Sequence, residues 1–129
     1  MSSIFTKIIN REIPAYIVAE DDNYIAFLDV SPLQKGHTLV IPKKETDFIF
    51  DVADDELTGL ILFSKKVAKK INGAFDCNRV GMSVIGLEVP HAHIHLIPIN
   101  KMDDMMFNNA RLSLTEEDFL EIQSKIVKQ

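Results

Sequence analysis

Three of the chain's four histidines fall within five residues, in the run His91-Ala92-His93-Ile94-His95, followed by Leu96-Ile97-Pro98. On an extended strand, residues i, i+2 and i+4 share one face. The spacing therefore places three imidazoles in a row on one side and turns Ala92, Ile94 and Leu96 toward a core on the other. A strand needs no polar row of that density for its own stability. The run predicts a half-buried strand whose polar face does chemistry.

Three chemistries are open to such a row. The histidines can simply decorate a strand, although clustered polar side chains more often mark function. They can bind a metal, since imidazole suits zinc, copper and iron. Against that, the outer two Cα atoms lie about 13 Å apart along a strand, and no Cys pair or His-Glu-x-x-His motif completes a ligand set. Metal binding by the cluster is possible but not favoured, and no cofactor is required. The third chemistry is nucleophilic catalysis. A neutral imidazole nitrogen attacks phosphorus and forms a covalent intermediate, and neighbouring imidazoles hydrogen-bond the phosphoryl oxygens and the leaving group. Histidine suits this because its ordinary pKa near 6.5 makes both protonation forms accessible.

At 129 residues the length fits a single domain spanning 1–129. A chain of this size buries roughly two thirds of its unfolded surface without help from disulfide or metal. The lone Cys77 has no internal partner and fits a reducing compartment. Residues 1–7 lack the long apolar run of a secretory leader, and Leu60-Ile61-Leu62-Phe63 is far too short to span a bilayer. A cytoplasmic protein with no membrane contact is expected. A net charge of −5 argues against a nucleic-acid partner, which needs a basic face, but leaves room for one small phosphate ligand.

Along the chain, Ile4, Phe5, Ile8 and Ile9 are spaced for one face of a short helix that ends before Pro14. Residues 16–19, 24–28, 37–41, 79–84 and 91–99 read as strands. A helix over about 54–71 has Leu57, Leu60, Ile61, Val67, Ala68 and Ile71 as its expected buried stripe. Asp54, Asp55 and Glu56 suit its N-terminal end, Lys65, Lys66, Lys69 and Lys70 its C-terminal end, and Asn72-Gly73 reads as its cap. A last helix follows Thr115, with Asp118 placed for a capping box and Phe119, Ile122 and Ile126 on its apolar face. Short connections among the early strands favour antiparallel pairing. The fold class is α+β: an antiparallel five-stranded sheet with helices packed on it.

The run from His91 to Ile97 resembles the signature of the histidine triad (HIT) family, in which three histidines alternate with apolar residues. Gly36-His37-Thr38-Leu39-Val40-Ile41-Pro42 and Ala26-Phe27-Leu28-Asp29-Val30-Ser31-Pro32 extend the resemblance upstream. The opening Ile4-Phe5-Thr6-Lys7-Ile8-Ile9 is similar to the Hint branch, the histidine triad nucleotide-binding proteins. Residues 100–129 match less well. The resemblance implies a HIT-like fold, a homodimer with a joined sheet, and a purine nucleotide bound at its α-phosphate. It also implies hydrolysis of nucleoside phosphoramidates through a nucleotidyl-histidine. A dinucleoside polyphosphate hydrolase and a nucleotide-sensing or protein-binding module with little turnover are the alternatives. By the same resemblance His93 is the nucleophile, His91 orients it through its carbonyl, His95 meets phosphate and leaving group, and His37 supports the cluster. Asp29 matches the acid that binds ribose hydroxyls. Ile4, Phe5, Ile8, Phe27 and Val30 match the base pocket.

The phosphate loop departs from the family pattern. Ser83 stands where an Asn is usual, and Gly86-Leu87-Glu88 replaces Gly-Gln-Ser/Thr in a shortened loop. Leu87 cannot hydrogen-bond phosphate, and Glu88 would repel it. The expectation is that backbone amides around Gly86 bind phosphate. Glu88 then turns away or meets a cationic leaving group.

Overall fold

The structure, a computed structural model, describes residues 2–129. Its elements are α1 (Ile4–Ile9), β1 (Ile17–Glu20), β2 (Tyr24–Leu28), β3 (Thr38–Pro42), α2 (Asp54–Ala74), β4 (Arg79–Ser83), β5 (Ile94–Ile99) and α3 (Glu116–Val127). Short 3-10 turns occupy Ile49–Asp51 and Met102–Met105. The strands form one sheet in the order β1-β2-β3-β5-β4, with every neighbouring pair antiparallel. The expected α+β class holds.

Period-two alternation sorts the two faces. Tyr24, Ala26 and Leu28 of β2, Val40 of β3, and Ile94 and Leu96 of β5 point to one side, where α2 and α3 cover them. Ile25 and Phe27 of β2 and Leu39 and Ile41 of β3 point to the other, where Phe5 and Ile8 of α1 meet them. Burial on both faces explains why β2 and β3 read as near-continuous apolar runs. The short α1 covers only part of its face, and a cavity opens beside it.

Local chemistry fixes the helix ends. The Thr6 N–H donates to Ser3 Oγ at 3.0 Å, capping α1. Thr115 and Asp118 form the expected capping box on α3, and Phe119, Ile122 and Ile126 are buried as anticipated. Helix α2 differs from expectation in three ways. It runs through Asn72-Gly73 to Ala74, so its last turn carries no basic residue. Ala74 and Phe75 pack on the core, which draws the last turn onward. A Cβ at Gly73 would meet only the movable tip of the exposed Gln129 side chain, and the helix passes through this glycine instead of ending at it. The buried stripe is Leu60, Phe63, Ser64, Val67 and Ile71, whereas Ile61 is exposed. Leu60, Phe63, Val67 and Ile71 follow the i, i+3, i+7, i+11 row of one helix face more closely than Ile61 does. Among the described residues, no helix is long and apolar enough to cross a membrane.

Candidate active site

Strand β5 begins at Ile94, so the triad straddles a loop and a strand rather than lying wholly on a strand. Upstream of the ladder, the His91 N–H donates to the Val89 carbonyl at 2.8 Å and the Ala92 N–H to that of Thr46 at 2.7 Å. Alternation still governs the side chains. Ile94 and Leu96 enter the helical core, while His93 and His95 face the α1 side. His95 pairs in register with Leu39, and His37 lies two residues before Leu39, so both rings reach the same face.

Hydrogen bonds to fixed backbone groups set each ring's tautomer. The Leu33 N–H can only donate, and it donates to His37 Nδ1 at 3.0 Å. The proton of neutral His37 is therefore on Nε2, which donates to His95 Nδ1 at 2.9 Å. That leaves the His95 proton on Nε2. The carbonyl of His91 can only accept, so His93 Nδ1–H donates to it at 2.8 Å and the lone pair of His93 sits on Nε2. Among the described residues, no fully buried side-chain nitrogen or oxygen lacks a partner. Nε2 of His93 and Nε2 of His95 have no protein partner, so both reach solvent. The sequence thus builds a bare nitrogen lone pair beside an N–H donor, with ring centroids 5.0 Å apart.

His91 does something else. Its ring is fully buried under α1 and does not line the cavity, so the expected row of three exposed rings becomes two. Its Nε2–H donates to the Pro42 carbonyl at 2.8 Å, and Ser3 Oγ–H donates to its Nδ1 at 2.8 Å. Glu45 accepts from the Ser3 N–H and from the Thr6 hydroxyl, and these bonds hold its carboxyl down to about 2. Burial lowers the His91 pKa despite the Pro42 carbonyl, keeping the ring neutral. The N-terminus of α1 is thereby tied to the triad. Local pattern reading did not find Ser3, Thr6 or Glu45 because each lies far from His91 along the chain.

A cavity of about 630 Å³ holds both free nitrogens at its wall. Ile4, Phe5, Ile8 and Phe27 line its apolar end, as expected for a base pocket, and Phe5 packs edge-on to His93 at 5.1 Å. Asp29 and Val30 also line it. Asp29 Oδ1 accepts from the Ser31 N–H at 2.8 Å, and burial raises its pKa. Gly86 lines the cavity with φ +76°, a left-handed conformation suited to glycine. Glu88 does not turn away: it also lines the cavity. Ser83 pairs with His95 on β4 but stands outside the lining. Phe107 and Arg111, in an irregular segment without periodicity, line the cavity and were not anticipated.

The tightest cluster of donor atoms is Asp29, His37 and His95, not the triad. It does not fit a cation. A lone pair on His37 Nε2 would require a proton on Nδ1, facing the Leu33 N–H head-on. His37 and His95 are joined by a hydrogen bond, and the Asp29 carboxylate lies beside them, 3.5 Å from His37 Nε2.

Burial, reinforced by neighbouring positive charge, pushes His37 from 6.5 down to about 3 and His95 down to about 4. The folded chain keeps both rings neutral while the unfolded chain protonates them as pH falls below 6.5. Their contribution is complete above 6.5 and is lost as pH falls toward 4. Denaturant unfolding at pH 5 should therefore show stability lower than at pH 7 by on the order of 3 kcal/mol from these two rings. Replacing His37 with Asn should remove about half of that difference, and an unchanged difference would contradict the assignment.

The sequence matches the HIT domain family over residues 10–102. It is 40% identical over 137 residues to an HIT-like protein of Borreliella burgdorferi, covering 95% of this chain and 94% of that one. It is 35% identical over 99 residues to an adenosine 5'-monophosphoramidase of Schizosaccharomyces pombe, covering 76% of this chain and 74% of that one. The solved structure of a hypothetical histidine triad nucleotide-binding protein from Sulfolobus tokodaii matches with a TM-score of 0.83 at 31% identity. The match covers 97% of this chain and 89% of the other.

Proposed function

This chain belongs to the HIT domain family, and on that footing we propose that it is a nucleotide-binding hydrolase. It cleaves purine nucleoside phosphoramidates at the α-phosphate through a nucleotidyl-histidine. The observation that carries this reading is the pairing of a lone pair on His93 Nε2 with an N–H on His95 Nε2 at one cavity wall.

In the first step His93 Nε2 attacks the α-phosphorus, a P–N bond to His93 forms, and the P–N bond to the amine breaks. The His91 carbonyl holds the Nδ1–H and stabilises the positive charge that develops on the ring. His95 donates its Nε2–H to a phosphoryl oxygen or to the leaving group. In the second step water displaces His93 and releases the nucleoside monophosphate. The amine takes its proton from solvent as it leaves, since a neutral His95 can hydrogen-bond a group but not surrender its Nε2–H, and the attacking water gives a proton back to solvent. The base lies among Ile4, Phe5, Ile8 and Phe27, the ribose hydroxyls bind Asp29, and the backbone around Gly86 binds phosphate. The relative from S. pombe, a monophosphoramidase by name, supports this substrate class. Exposed Met82 on edge strand β4 suits pairing of two such edges, the homodimer with a joined sheet. A cytoplasmic location belongs to the same proposal.

Steady-state hydrolysis of adenosine 5'-phosphoramidate and a diadenosine polyphosphate tests it. In line with the relative named a monophosphoramidase, kcat/KM should favour the phosphoramidate by roughly tenfold or more. The reverse order would make the protein a dinucleoside polyphosphate hydrolase. Tight nucleotide binding with negligible turnover of both would make it a sensing module. Either result contradicts the proposal.

A further inference from the structure

The active-site cavity is lined by two carboxylates, Asp29 and Glu88, in a chain of net charge −5. Among the described residues that line it, Arg111 alone carries a fixed positive charge. Its side chain is held in place rather than free. Nη1–H donates to the Ser31 carbonyl at 2.8 Å, and the guanidinium lies over the Phe107 ring, 5.7 Å from its centroid. The Leu112 N–H donates to the Pro32 carbonyl at 2.8 Å, which fastens the segment to the 31–33 loop. Phe107 in turn packs edge-on to His95 at 4.8 Å.

These contacts give the cavity two ends. Phe5 stands against His93 at the apolar end, and Phe107 stands against His95 at the other. With phosphorus at His93 Nε2 and the base among the apolar side chains, a group attached beyond the phosphorus and held by His95 Nε2–H comes within reach of Phe107 and Arg111, at an end that Asp29 also borders. One guanidinium N–H is committed to Ser31, and the remaining N–H groups are available to an anion.

Resting on the nucleotide-hydrolase reading, we infer that Arg111 forms a leaving-group subsite that receives an anionic group, phosphate or carboxylate, attached beyond the scissile bond. This residue gives the enzyme a preference among leaving groups that the triad does not encode. Arg111 also lowers the pKa of Asp29, His37 and His95, so its field spans the cavity.

Equilibrium binding of adenosine 5'-monophosphate and 5'-diphosphate to the full chain tests the inference, the second phosphate serving as the probe anion. The wild type should bind the diphosphate about tenfold more tightly than the monophosphate. Arg111→Ala should shrink that preference to about twofold or less while monophosphate affinity changes by no more than about twofold. Arg111→Gln keeps a donor for the Ser31 carbonyl without the charge, and it should behave as Arg111→Ala does.

Four outcomes would overturn the subsite: no preference in the wild type, equal losses for both nucleotides, a preference that survives Arg111→Ala, or restoration of the preference by Gln. The last would make Arg111 a strut for the 31–33 loop. Failure of the wild type to bind either nucleotide would overturn the nucleotide reading together with the subsite. A second arm compares kcat/KM for adenosine phosphoramidates of glycine and of methylamine. If Arg111→Ala lowers only the glycine compound, the subsite takes carboxylate as well as phosphate. If it lowers neither, the subsite is for phosphate.

Discussion

On the proposed mechanism, replacing His93 with alanine should lower turnover by roughly 10⁴-fold or more while nucleotide affinity stays within several-fold of wild type. The asymmetry follows from what the ring contributes. His93 Nε2 is the one imidazole lone pair that the hydrogen-bond pattern delivers to the cavity, since the Nε2 of His95 carries a proton and both nitrogens of His37 and His91 are engaged. No neighbouring histidine can replace it as nucleophile. Binding is spread over other groups: the apolar pocket around Phe5 and Phe27, Asp29, and the His95 N–H. Steady-state assay on the phosphoramidate, beside calorimetric titration with the monophosphate, separates the two quantities. Turnover that survives in the variant would remove His93 from the chemistry, and collapse of both quantities would make it a structural ring.

Ile94→Ala should destabilise the fold by about 2–5 kcal/mol, against about 1 kcal/mol for Ile94→Val. Ile94 is fully buried, stands between His93 and His95 in the sequence, and pairs with Val40 in the centre of the sheet. Its side chain enters the core that α2 and α3 cover. Truncation leaves a cavity where strand and helix are held rigidly on both sides, so little collapse can relieve the loss. Thermal unfolding should fall by roughly 10 °C. A midpoint within about 1 °C of wild type would show that β5 is not anchored by this residue. The same packing sets the spacing of the His93 and His95 rings, so one apolar side chain serves both stability and site geometry.

Much of this could be read from the chain, and the rest could not, for identifiable reasons. Alternation at residues 93–96 determined which side chains meet the core and which meet the cavity, because a pleated strand leaves no other choice. The caps at Thr115 and Asp118 were equally local. The ring of His91 escaped that logic. Its place is set by Ser3, by the Pro42 carbonyl and, through Ser3 and Thr6, by Glu45, and no short-range pattern reports contacts across such separations. The tautomers of His37 and His95 depend on a single backbone amide at Leu33, which the sequence does not mark. Phe107 and Arg111 sit in a stretch with no repeating period, so nothing in the residues themselves aimed them at the cavity. At Gly73 a local signal misled: Asn72-Gly73 resembles a cap, yet the helix runs on to Ala74, where Ala74 and Phe75 pack on the core.

The most direct measurement is mass spectrometry of the full chain mixed with a nucleoside phosphoramidate and quenched in alkali, where a phosphorus–imidazole bond outlasts acid conditions. A nucleotidyl adduct that maps to His93, and that is absent from His93→Ala, is the expected result. Robust turnover with no adduct on any histidine, or an adduct on His95 or His37 instead, would contradict covalent catalysis by His93.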